Sequence, residues 1–242
     1  MQRTLLGMLT PSSNTVLEPI TTSMLSGLPD VTAHFGRFKV TEISFGDQAL
    51  GQFETSPMLA AAELLADAKV NTICWNGTSA GWLGFQADES LAAEISSKTE
   101  IPACSSVLAI NQIFEASGVQ SFGLVTPPYI DDIQQAIIRT YQNGGYVCAA
   151  EQHLGIHVNF DFSEIAENQL ADMCREVAKA KPDAILIFCT NLRGAPIVQD
   201  LEQEIGIPIY DTVATAVWAA LRVCGIAPSR VQGWGSLFRE IE

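Results

Sequence analysis

The chain has 242 residues, of which 48% are apolar and 17% charged, and its 13 Lys and Arg against 27 Asp and Glu give a formal net charge of −14. That composition excludes a disordered chain, and the sign of the field argues against nucleic acid or an anionic membrane surface as partner. A chain of this length buries about 70% of its surface on folding, enough for a core that needs neither disulfides nor a metal.

In chain order, the first strand is expected at Thr4–Leu9, the apolar start of the sequence. Its Leu5 to Leu9 stretch is too short for a signal peptide or a membrane span, so a cytoplasmic location is expected. The segment 30–48 is expected to hold a further strand, followed by a helix over Thr55–Ala66 and a strand over Asn71–Trp75. Helices follow at Asp88–Ser97 and Ser106–Ala116, then a strand at Ser121–Val125, a helix at Asp131–Asn143 and a strand at Tyr146–Ala149. The last elements are a helix at Glu164–Ala178, a strand at Ala184–Phe188 and helices at Ile197–Glu204 and Val213–Val223. Short apolar runs that end in Gly, Pro, Ser or Thr and alternate with helical stretches predict a parallel α/β fold.

The same unit is written twice. Gly7-Met8-Leu9-Thr10-Pro11 returns as Gly123-Leu124-Val125-Thr126-Pro127. Lys69-Val70-Asn71-Thr72-Ile73, followed by Gly77-Thr78-Ser79, returns as Lys181-Pro182-Asp183-Ala184-Ile185, followed by Cys189-Thr190-Asn191. Ile101-Pro102 then matches Ile207-Pro208, and Gly118-Val119 matches Gly225-Ile226. An ordered set of matches with slowly drifting offsets is the mark of an internal repeat. It predicts two pseudo-twofold-related lobes, each with a parallel β-sheet flanked by helices: residues 1–110, with 213–242 packing back onto them, and residues 111–212. In such sheets ligands bind beyond the strands' C-terminal ends, so the loops 10–14, 77–81, 126–130 and 189–194 should line one cleft between the lobes.

At that cleft the repeat pairs Thr78 with Thr190 and Ser79 with Asn191, which supplies hydroxyls and backbone N–H groups able to cradle a carboxylate or an enediolate. Gly77, however, pairs with Cys189. One wall therefore carries a thiol able to exchange its proton, and the other carries none. Tyr129 adds a hydroxyl, and Asn14, in the matching loop of the first lobe, an amide N–H for a second carboxylate.

Thr10-Pro11-Ser12-Ser13-Asn14-Thr15 with Glu18-Pro19 resembles the opening of the maleate cis–trans isomerases. Gly77-Thr78-Ser79, Thr126 through Tyr129-Ile130-Asp131-Asp132, Cys189, and Gly233-Trp234-Gly235-Ser236-Leu237-Phe238 resemble arylmalonate decarboxylase. Both groups belong to the aspartate/glutamate racemase superfamily, and the resemblance spans essentially the whole chain. It implies a site that needs no cofactor or metal, with a cysteine on each side in racemases and isomerases. By position, Gly77 stands where the first cysteine would be, as in the decarboxylase, and Cys189 keeps the second. Thr78, Ser79, Tyr129 and the segment Cys189–Asn191 with Thr190 would then hold the enediolate, while Asn14 and Asn159 fall where the isomerase grips its dicarboxylate.

The expected activity is decarboxylation of a malonate-type diacid through an enediolate that Cys189 protonates, the departing carboxylate lying against an apolar wall for which Val40, Ile43 and Trp75 are candidates. The alternative is a maleate-isomerase-like or racemase-like enzyme acting on a small dicarboxylate or amino-acid-like substrate; a carboxylate-binding protein without catalysis comes third. A homo-oligomer is left open.

Other motifs weigh less. Gly77-Thr78-Ser79-Ala80-Gly81 fits the G-x-S-x-G elbow of serine hydrolases, but only His34, His153 and His157 could serve as base. Thr78 and Ser79 could also cap the following helix. The six cysteines lack CxxC spacing, Cys74 is expected to be a buried strand residue, and no nucleotide-binding glycine loop occurs.

Overall fold

The computed structural model describes residues 3–43, 46, 51, 55–126 and 129–241. The end of the expected strand segment 30–48 and the repeated Pro127 fall outside them. The elements are β1 (Thr4–Pro11), α1 (Leu17–Leu25), β2 (Val31–Phe38), α2 (Thr55–Asp67), β3 (Thr72–Trp75), α3 (Ala80–Leu83), α4 (Phe85–Thr99), β4 (Ala103–Ser105) and α5 (Ser106–Ser117). They continue with β5 (Ser121–Thr126), α6 (Asp131–Asn143), β6 (Val147–His153), α7 (Glu167–Ala178), β7 (Ala184–Ile187), α8 (Val198–Ile205), β8 (Ile209–Asp211), α9 (Thr212–Val223) and α10 (Ser236–Glu240).

Two four-stranded sheets of identical order result, β2-β1-β3-β4 and β6-β5-β7-β8, with every pairing parallel. The central strands β3 and β7 are buried along their whole length. Continuous apolar runs are what a parallel sheet covered on both faces requires. The repeated glycines have a packing cause. A Cβ at Gly7 would stand 2.9 Å from Val70 Cγ2, and one at Gly123 would stand 2.9 Å from Val177 Cγ2, so each lobe needs a bare backbone where its first strand passes a neighbour.

The repeat extends to the helices that join the lobes. α9 packs against β3, β4 and α5 of the first lobe, and Thr215 Oγ1 donates to Ser106 O at 3.0 Å. α5 reaches the other way: Phe114 lies among Phe122, Tyr141, Tyr146 and Tyr210. The expected boundary at 110/111 thus falls inside a helix that serves both lobes. The tail divides too. Arg230 pairs with Asp30 of the first lobe, whereas Ser236 at the start of α10 is held by Glu202 of α8 through N–H and Oγ, each at 2.7 Å.

Five elements lay outside the sequence expectation, among them α3 and α10, which have only four and five residues. β4 and β8 have three residues each, too few for a periodic signal. α1 sits behind Pro19, which occupies its first turn, where a missing N–H is harmless. No described helix is long and apolar enough to cross a membrane, and the six cysteines are free thiols.

Candidate active site

The C-terminal ends of β1, β3, β5 and β7 meet between the lobes around a small cavity of about 20 Å³, room for about one water. It is lined by Pro11, Val40, Ile43, Trp75, Gly77, Thr78, Ser79, Trp82, Tyr129, Asn159, Cys189 and Thr190. The paired loops after β3 and β7 therefore do converge. Val40, Ile43 and Trp75, the expected apolar wall, all face this space.

Cys189 follows β7 directly and is 3% exposed. Burial pushes its thiol up to about 12, against smaller downward pulls from the Asn191 N–H and the Tyr129 hydroxyl. The Asn191 N–H donates to Cys189 Sγ at 3.4 Å. At neutral pH the group is a thiol carrying its proton.

Tyr129 is buried, not a surface residue. Its hydroxyl lies 2.7 Å from Thr78 Oγ1, and desolvation with the neighbouring Cys189 keeps it protonated. Two hydroxyls share one hydrogen bond here, so one of their protons is left to point at a ligand. Ser79 stands at the N-cap of α3 without making a side-chain cap. Its hydroxyl has no hydrogen-bond partner among the described residues, whereas the N–H groups of Gly81, Trp82 and Leu83 behind it are taken by Thr78 O and Ser79 O.

The remaining expected residues knit the lobes together. Asn14 Nδ2 donates to Thr190 O at 3.0 Å and Thr190 Oγ1 at 3.2 Å. Its Oδ1 accepts from the N–H groups of Val16 and Leu17, starting α1. Thr190 Oγ1 donates to Asn76 O at 3.0 Å. Asn191 donates to Asn159 O at 2.6 Å and accepts from Thr15 N–H at 3.0 Å. Asn159 Nδ2 donates to Ser13 Oγ at 2.8 Å. Both asparagine amides proposed for a second carboxylate are thus engaged within the protein, although Asn159 still borders the cavity.

Two buried carboxyls escaped the sequence reading. Asp211, at the end of β8, caps α9 by accepting from Val213 N–H at 2.8 Å and Ala214 N–H at 3.3 Å. Burial nevertheless holds it at about 7. Asp88 of α4 is likewise held at about 7 by burial, with the Ser105 hydroxyl and the Trp75 indole N–H drawing it back. The repeat offers the signal for this pair, since Ser105 and Asp211 end equivalent strands. The hydrolase elbow finds no partner: none of the three histidines lines the cavity, and His153 is held by Glu151 and Asp131. Among the described residues no group of three or more His, Cys, Asp or Glu could hold a metal.

Two sheets of one order, facing across a cleft that holds a cysteine, define a two-lobed enzyme of the aspartate/glutamate racemase superfamily. The model of the arylmalonate decarboxylase family matches residues 43–238. The chain belongs to that family, and it is an enzyme of the superfamily's cofactor-independent carbon-acid type, acting through an active-site cysteine. It is 26% identical to the arylmalonate decarboxylase of Bordetella bronchiseptica over 167 residues, 68% of this chain and 69% of that one. It is 24% identical to the maleate isomerase of Nocardia farcinica over 242 residues, covering 97% of this chain and 95% of that one. A structure of the Nocardia farcinica maleate cis–trans isomerase, a cysteine-to-serine mutant with a covalently bound succinylcysteine intermediate, superposes with a TM-score of 0.90 at 21% identity, covering 99% of both chains. Likeness along the whole chain thus leans to the isomerase, and the family model to the decarboxylase.

Proposed function

We propose that the enzyme generates an enediolate from a small malonate-type diacid by loss of CO₂ and protonates it from one side with Cys189. The observation that carries this reading is the pairing of a buried, protonated thiol with a wall, Trp75 and Gly77, that has no acid–base group. Loss of CO₂ forms the carbanion without a base, and the proton then needed is the one Cys189 holds. Racemisation would require Cys189 first to become a thiolate, against its burial.

In this reading one carboxylate is bound by the Thr78–Tyr129 hydroxyl pair and Ser79. These donors strengthen their hold as charge builds on the enediolate oxygens, and each such donor contributes about 10²–10³ in rate. Thr190, Asn191 and Asn14 act through position: the bonds of Thr190 to Asn76 and Asn14, and of Asn191 to Thr15, fix the Cys189 loop against the first lobe. The second carboxylate sits against Val40, Ile43 and Trp75, where desolvation penalises the charged ground state more than neutral CO₂.

Isomerisation or racemisation of a small dicarboxylate is the second reading, favoured by the whole-chain likeness to maleate isomerases. Against it stands Gly77, since the other thiol near this wall, Cys74, is fully buried within β3.

The test is to supply arylmalonates, alkylmalonates and maleate in D₂O and follow CO₂ release, cis–trans conversion and deuterium at the α-carbon. Decarboxylation with one deuteron delivered to a single face is expected. Cys189→Ala should lower turnover at least about 10³-fold while retaining ligand binding, as loss of a general acid does. Conversion of maleate without CO₂ release would select the second reading.

A further inference from the structure

The empty wall is not empty space. A Cβ built at Gly77 would lie 1.9 Å from Trp75 Cζ2, 2.3 Å from Cη2 and 2.5 Å from Cε2. The indole therefore lies across the face of residue 77, filling the volume into which its side chain would project. Nor is the ring a loose end that could swing away. Trp75 is 1% exposed, and its ring centroid is 5.2 Å from that of Phe38.

The two lobes carry two alternative arrangements at equivalent positions. β3 and β7 are equivalent strands with equivalent registers, Ile73–Trp75 on β4 and Ile185–Ile187 on β8. Trp75 thus corresponds to Ile187, as Gly77 does to Cys189. In the second lobe a mid-sized strand residue leaves room for a side chain two positions on. In the first lobe a large strand residue takes that room, and the position two on is bare. Successive same-face residues on a strand are neighbours, so the two volumes trade against each other.

We propose that Trp75 is the residue that makes the site one-sided: its indole stands in for the missing side chain at 77, bars an acid–base group from that wall, and limits the size of the substituent the α-carbon can carry there. The stereochemical and size part of this inference rests on the proposed function, whereas the steric part does not. A consequence follows that Gly77 alone does not give: restoring a cysteine at position 77 requires removing the indole as well.

Four proteins test it: the wild type, Gly77→Cys, Trp75→Val and the double variant. Overpacking a close-packed core costs enough that Gly77→Cys should lower the unfolding midpoint by roughly 5–10 °C in the wild-type background. In the Trp75→Val background the same change should cost less than about 2 °C. Among proteins that turn over a 2-alkyl-2-arylmalonate in D₂O, the wild type and Trp75→Val should give one product enantiomer, and the double variant both. Trp75→Val should also bind monoacids with bulkier α-substituents than the wild type does, which a ligand-induced shift in midpoint reads without turnover.

Equal tolerance of Gly77→Cys in both backgrounds would overturn the steric inference, and a double variant whose product stays as optically pure as the wild type's would overturn its stereochemical part. Unchanged ligand size limits in Trp75→Val would overturn its part in selectivity. Absence of CO₂ release by the wild type, with the midpoints coupled and the size limit relaxed, would remove the proposed reaction and leave the role of Trp75 standing.

Discussion

Asp211 is fully buried and has an ordinary pKa of 3.8, yet in the fold it is held at about 7 by desolvation. A tenfold change in proton affinity corresponds to about 1.36 kcal/mol, so ionising this one group costs the native state about 4 kcal/mol that the unfolded chain does not incur. The native state binds the extra proton between the two pKa values, so this contribution to stability is fully present below about pH 4. It is lost as pH rises to about 7 and is constant above that. Asp211→Asn keeps an oxygen that can cap Val213 and Ala214, and removes the ionisation. Its amide nitrogen would replace Oδ2, which has no hydrogen-bond partner among the described residues, an offset independent of pH. Urea unfolding of both proteins from pH 4 to pH 8 isolates the linked part, because every other titrating group cancels in the difference. The variant should gain about 4 kcal/mol on the wild type across that range. A difference that stays level with pH would mean that Asp211 ionises normally, and the buried-carboxyl reasoning would fail for Asp88 as well.

Asn14→Ala removes the cap on α1 and leaves the buried Thr190 carbonyl without its donor, so urea denaturation should register a loss of about 2–4 kcal/mol. A loss below about 1 kcal/mol would show that the two lobes do not depend on this tie. With its thiol at about 12, Cys189 should react with iodoacetamide at pH 8 roughly 10³-fold more slowly than a free cysteine, as mass spectrometry of the alkylated chain would show. Fast labelling of Cys189 in the folded protein would contradict the thiol assignment. Burial alone would lower the pKa of His153, but Asp131 and Glu151 outweigh it and raise the group above 6.5. Its contribution is therefore complete below pH 6.5 and lost as pH rises through the raised value. The stability gap between wild type and His153→Ala should narrow from pH 6 to pH 9, and a widening gap would reverse the sign.

What the sequence made legible was whatever two copies of one unit had to share. Both lobes need a bare residue where the first strand crosses its neighbour, hence Gly7 and Gly123. Both return from a helix to the central strand through a left-handed residue, hence Lys69 at φ 55° and Lys181 at φ 52°. The cleft-facing residues followed from the same registration. Side-chain direction was not legible, because it depends on contacts distant in the chain. Asn14 reads equally well as a ligand-binding amide or a structural tie until Thr190 is seen beneath it, 176 residues away. Asp211 and Asp88 look like ordinary surface carboxylates until the fold is seen to bury them. Trp75 could be named as wall but not as plug, since only the folded backbone shows how close residue 77 comes to its ring.

The two readings of the reaction differ in what they ask of Cys189, and the surroundings of that thiol set the terms. An enzyme that begins by taking an α-proton must first hold a thiolate. At pH 7, with the thiol at about 12, that costs roughly 7 kcal/mol, or about 10⁵ in rate, before any carbon–hydrogen bond is touched. A neighbouring cation would relieve the cost, but the described lining contains neither lysine nor arginine. A second thiol on the facing wall would share it, and the Trp75 indole stands where that thiol would go. Decarboxylation does not start from that thiolate: the carbanion arises from a bond the enzyme need not attack, the far more basic enediolate drives proton transfer from Cys189, and the thiolate left behind regains its proton from water once the product leaves.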